Sequence, residues 1–136
     1  MEIKKYESGY EQDLVDLWVQ CGLVVPQNSA QGDIGSKMDF QPDLLFTGFL
    51  EGTLVASVMA GYEGHRGWVN YLAVSPQYQR KGFGRAMMQH AEAELTKLGC
   101  PKINLQVRGG NDSVIKFYDR IGYAIEDRVS MGKRLT

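Results

Sequence analysis

Hydrophobic positions along the chain follow two periods, one helical and one extended, and the switches between them mark the elements. Leu14, Leu17, Trp18 and Cys21 stand at i, i+3, i+4 and i+7, which places them on one face of a helix. Ser8 and Glu11 ahead of them have the spacing of a capping box, and Gly22 predicts the stop. Residues 23–32 hold Pro26, Asn28, Ser29 and Gly32 and read as loop. Residues 33–40 predict a short second helix, with Ile34 and Met38 on one side and an Asp33/Lys37 pair.

Extended character then takes over. Residues 44–50 and 54–62, joined by Glu51-Gly52-Thr53, predict a hairpin. After the turn Glu63-Gly64-His65-Arg66-Gly67, residues 68–74 are aromatic and branched enough for a third strand. Met87, Ala91, Leu95 and Leu98 next define a long helix that Gly99 ends, with Pro101 beyond it. Residues 102–107 alternate as a strand, residues 113–121 form a helix stopped by Gly122, and residues 123–125 with 129–133 predict a last hairpin. The order β-α-α-β-β-β-α-β-α-β-β describes an α/β fold in which helices pack on one sheet.

Composition narrows the classes. A chain of 136 residues, 43% hydrophobic, is the size of one domain and can bury a core without disulfides or metal, so residues 1–136 are expected to form a single domain. Lys+Arg 15 against Asp+Glu 16 is no footprint for nucleic acid. Cys21 and Cys100 have no metal-ligand spacing, and Cys21 falls on an apolar helix face as an inert thiol. The N-terminus lacks a signal-peptide apolar region, and no stretch approaches the roughly 18 apolar residues of a membrane span, so the expectation is a cytoplasmic protein off the membrane.

Chemistry concentrates between the third strand and the long helix. Gln79-Arg80-Lys81-Gly82-Phe83-Gly84-Arg85 puts two glycines where strand hands over to helix. Glycine lets backbone N–H groups approach a ligand, and the first N–H groups of a helix lack internal partners and favour an anion. With Arg80, Lys81 and Arg85 beside them, these groups make a phosphate cradle. The dinucleotide fingerprint fails at its third glycine, and no Gly-Lys-Ser/Thr follows for a Walker loop. Taken alone, Gly-x-Gly before a helix is equally an ordinary tight turn.

The wider context resembles motif A of the GCN5-related N-acetyltransferase (GNAT) superfamily: Gln79-x-x-Gly82-x-Gly84 follows Tyr71-Leu72-Ala73-Val74, with Pro76 between. Asn111 followed by Phe117-Tyr118-Asp119-Arg120-Ile121-Gly122-Tyr123 is similar to the family's motif B. Gly61-Tyr62-Glu63-Gly64-His65-Arg66-Gly67, Gly99-Cys100-Pro101-Lys102-Ile103 and Gly132-Lys133-Arg134-Leu135 resemble the small bacterial YpeA-type acetyltransferases. The resemblance implies a GNAT fold: a mixed, mostly antiparallel sheet, splayed at the coenzyme A site and flanked by about four helices. It implies acetyl transfer from acetyl-CoA, without metal, directly to an amine on a small molecule or a protein. A homodimer is a frequent assembly in the family.

Site residues follow from the same resemblance. Gln79, Arg80, Lys81, Gly82, Phe83, Gly84 and Arg85 hold the pyrophosphate. The backbone of Leu72, Ala73 and Val74 pairs with the pantetheine arm, and an N–H there polarises the thioester carbonyl. Asn111 contacts the same arm, or simply caps its helix. Tyr118 donates a proton to the leaving sulfur, or packs beside Phe117. Residues 68–74 carry no carboxylate for a base; Glu63 and His65 in the preceding turn are the candidates, against a role as solvated turn residues, and His90 lies on a helix flank at the surface. Trp18, Asn28, Asp33, Trp68 and Tyr71 fall where the family binds its acceptor, although Trp18 also has core spacing. A coenzyme A sensor without turnover, an acyltransferase using another acyl-CoA, and an alcohol acceptor are the competing readings.

Overall fold

The computed structural model describes residues 1–25 and 29–136, which pack as two compact units, Met1–Leu105 and Gln106–Thr136. In the first, β1 (Glu2–Lys5), β2 (Leu45–Leu50), β3 (Thr53–Tyr62), β4 (Gly67–Val74) and β5 (Ile103–Asn104) form one sheet in that order. All neighbours are antiparallel except β4 and β5. Helices α1 (Glu11–Gln20), α2 (Ala30–Asp39) and α3 (Phe83–Lys97) belong to this unit, and α4 (Asp112–Arg120) to the second.

Both sheet faces are covered. Leu45 and Phe46 are successive and so point to opposite sides. Leu45 joins Leu14, Leu17 and Trp18 of α1 and Ile34 of α2, whereas Phe46 meets His90 of α3 edge-on at 4.6 Å. That double cover explains why β2 is buried along nearly its whole length. On α3 the buried stripe is Met87, Met88, Ala91 and Leu95. Gly67 suits the place where β4 passes it, because a Cβ there would lie 2.8 Å from Cys100 Sγ and 3.2 Å from Leu95 Cδ1.

Several expectations are corrected. A 3-10 turn occupies Ser8–Tyr10, so α1 starts at Glu11 without a side-chain cap and the Ser8/Glu11 box does not form. Ser29 caps α2, its Oγ accepting from Gly32 N at 3.0 Å, so that helix starts three residues before the expected Asp33. Lys37 is not paired with Asp33: it is buried, its Nζ donates to the Ala60 carbonyl at 2.5 Å, and burial lowers its pKa. Leu98 falls beyond the last turn of α3 and is 53% exposed, outside the core stripe. The strand expected at 102–107 shrinks to β5.

Residues 123–133 contain no assigned strand, so the last hairpin is absent. Strand propensity makes no ladder by itself, and an isolated hairpin is marginal in water. Ile125, Val129, Met131 and Leu135 are left exposed. Among the described residues no helix is long and apolar enough to cross a membrane.

Candidate functional site

The turn before α3 has the geometry of an anion cradle. Gly82, at the helix N-cap, is left-handed with φ +87°, and Arg80 two residues earlier is left-handed at φ +64°. The first helical bond runs from Ala86 N to Gly82 O at 3.0 Å, so the N–H groups of Phe83, Gly84 and Arg85 have no acceptor inside the helix. No side chain caps them, and the first turn holds no acidic residue, unlike those of α1, α2 and α4. Arg80, Lys81 and Arg85 make no ion pair among the described residues. A helix dipole, free donors and uncommitted cations therefore occur together at one turn, which suits a pyrophosphate. A hollow of about 360 Å³ on α1 and the β2–β3 turn is lined by Asp13 and Asp16, which disfavour an anion there.

Beside the cradle, β4 presents an open edge. It pairs with β5 only at Gly67 and Trp68; among the described residues no strand covers 69–74 on that side. This is the expected splay, and it leaves the backbone of Leu72, Ala73 and Val74 without a strand partner on that side. The Val74 carbonyl accepts from Gln79 Nε2 at 3.0 Å and from Cys21 Sγ at 3.3 Å. Gln79 thus ties the turn to the strand end. Burial raises the pKa of the Cys21 thiol, which keeps it protonated.

A bulge shapes the same strand. Ser57 pairs with Ala73 and Met59 with Asn70, so Val58 alone faces both Tyr71 and Leu72. In an unbroken strand residues 67 and 73 would share a face; here Gly67 faces α3 while Ala73 and Tyr71 join the α1/α2 side. Tyr71 is left-handed at φ +53°, a strain of about 1–3 kcal/mol for a bulky residue. Its ring stacks on Trp18 at 3.7 Å, its carbonyl accepts from Ser57 Oγ at 2.8 Å, and Ser57 accepts from Trp18 Nε1 at 2.9 Å. The Tyr71 hydroxyl donates to Asp33 Oδ2 at 2.5 Å; burial first, and then this carboxylate, raises its pKa.

In the second unit, Asn111 stands at the N-cap of α4 but makes no backbone cap; its Oδ1 accepts from the Ser113 hydroxyl at 3.2 Å. Tyr118 packs edge-on to Phe117 and Tyr123, with centroids at 5.1 and 5.6 Å, and burial pushes its phenol up to about 12. Glu63 Oε1 accepts from Arg66 N at 2.9 Å, which commits that carboxylate to its own turn. His65 is exposed in the same turn, and Trp68 is 41% exposed on β4. Trp18 is core, and Asn28 lies outside the described residues. No cluster of three or more metal-ligating side chains occurs among the described residues. Sequence reasoning missed Ser57, the support of Tyr71; a lone serine in an apolar strand was its one signal.

Residues 11–123 match the model of the acetyltransferase (GNAT) family. An acetyltransferase of Yersinia pestis (strain Pestoides F) is 40% identical over 135 residues, covering 99% of this chain and 96% of the relative. One from Sodalis glossinidius is 41% identical over 136 residues, with the same shares covered. The fold is similar to that of PaiA N-acetyltransferase from Thermoplasma acidophilum, determined with coenzyme A, at TM-score 0.78 and 20% identity over 94% of this chain and 92% of that one. The chain belongs to the GNAT family and is an acyltransferase of the acetyl-CoA-dependent N-acetyltransferase class.

Proposed function

We propose that the protein transfers an acetyl group from acetyl-CoA to the nitrogen of an amine, directly, with both substrates bound together. The observation that carries this is the uncapped N-terminus of α3 behind left-handed Arg80 and Gly82, next to the open edge of β4. The N–H groups of residues 83–85 and the cations Arg80, Lys81 and Arg85 hold the pyrophosphate. The backbone of Leu72, Ala73 and Val74 pairs with the pantetheine arm, and an N–H there polarises the carbonyl under attack. Asn111 bonds the same arm. Acetyl-CoA supplies an acyl group on a good leaving thiolate, and the hydroxyl of Tyr118 donates to that sulfur.

A coenzyme A sensor without turnover is favoured by one observation: β4 carries no carboxylate, and Glu63 is committed to its turn. Release of free thiol from acetyl-CoA, with and without a panel of amines, tests the reading and separates it from the sensor. Substituting longer acyl-CoA donors and alcohol acceptors in the same assay separates it from the other acyltransferases. The exposed side chains of Ile125, Val129, Met131 and Leu135 support self-association. Light scattering should give twice 15.2 kDa, and a monomer mass at assay concentration would exclude the dimer.

A further inference from the structure

A half-buried carboxylate with no cation beside it needs an explanation. Asp33 sits in the first turn of α2, and among the described residues it makes no ion pair. Lys37, one turn along, is directed instead to the Ala60 carbonyl. The partner Asp33 does have is the hydroxyl of Tyr71, donating at 2.5 Å to one oxygen, Oδ2. Among the described residues the other oxygen accepts no hydrogen bond.

The tyrosine is held firmly. The indole of Trp18 stacked on its ring and the Ser57 bond to its carbonyl hold it at a left-handed backbone angle in the β4 bulge. A bulky residue kept at an unfavourable φ by so many contacts is the pattern of a site, where strain is retained because the aim of a side chain matters. What is aimed here is a carboxylate, one tyrosine side chain from the backbone of residues 72–74.

We propose that Asp33, oriented by Tyr71, receives the acceptor as its ammonium ion, which gives up a proton to solvent before the neutral nitrogen attacks the thioester, so that the acceptor is a cationic amine rather than an alcohol or a neutral amide. This rests on the acetyltransferase reading above. Tyr71 occupies one carboxylate oxygen and leaves the other for an N–H donor, which fixes the direction from which the amine arrives. Tyr71 is a positioning residue in this scheme, and Asp33 is the group that touches substrate.

The test uses the full chain, wild type and Asp33→Asn, with putrescine, tyramine and alaninamide as probe amines. On protein saturated with coenzyme A, at least one amine should raise the melting temperature in wild type and not in Asp33→Asn. In steady-state assays the KM for that amine should rise about ten- to hundredfold, the size of one lost hydrogen bond to a charged group. The KM for acetyl-CoA should stay unchanged. Tyr71→Phe, which keeps the stacked ring, should raise the same KM by less. The proposal is overturned if Asp33→Asn binds the amine as wild type does, or if no probe amine stabilises the coenzyme A complex of wild type. Failure of coenzyme A itself to stabilise the protein would instead strike at the acetyltransferase reading.

Discussion

Between a thiol that titrates near 8.5 and a phenol pushed up to about 12, full proton transfer from Tyr118 runs uphill by on the order of 5 kcal/mol. In the proposed reaction Tyr118 would act by a hydrogen bond that strengthens as charge gathers on sulfur, and not by handing over its proton beforehand. Tyr118→Phe should lower kcat by about 10²-fold or less, the low end for a lost general acid, and leave the KM for acetyl-CoA unchanged. Because burial raises the pKa, the hydroxyl stays protonated as pH climbs past 10, so wild-type kcat should show no alkaline loss from Tyr118 below about pH 11. Steady-state kinetics of both proteins across pH checks this; an unchanged kcat in Tyr118→Phe would assign the residue to packing. Its place before Gly122-Tyr123 was legible in the sequence. The contact of Asp33 with Tyr71 was not, since the two lie 38 positions apart and only the fold joins them.

The element that matters most is α3 with its entry turn. Its cradle could be read from glycine and cation spacing because both act locally, through φ and the first free N–H groups. The bulge in β4 could not, because an aromatic residue such as Tyr71 reads as an ordinary strand former, and its left-handed φ is imposed by Trp18 and Ser57 from other elements. Lys37 departs from its helical spacing for a similar reason: spacing offers Asp33, but tertiary packing offers the Ala60 carbonyl. Gly82→Val should abolish acetyl-CoA binding by calorimetry. A branched side chain at φ +87° is strained, and the turn that relieves it loses charge-assisted bonds worth about 1.5–3 kcal/mol each. Arg80→Ala should weaken binding less, and by an amount that shrinks with added salt, because an exposed charge is screened. Normal affinity in the valine variant would place the pyrophosphate elsewhere.

For the whole molecule, element order and helix faces followed from periodicity, and these set the α/β class. The tail did not follow, because Ile125, Val129 and Met131 have the pattern of a hairpin without a covered face to make one. An anion cradle, an open strand edge and a protonated tyrosine together demand one thing of the intact protein: turnover of acetyl-CoA that depends on an amine. Following free thiol with a chromogenic disulfide, acetyl-CoA alone should give slow release. Adding the amine that the protein accepts should accelerate release to saturation, with one acetylated amine formed per thiol. Acetyl-CoA binding with no acceleration by any amine would contradict the account and leave a coenzyme A sensor in its place.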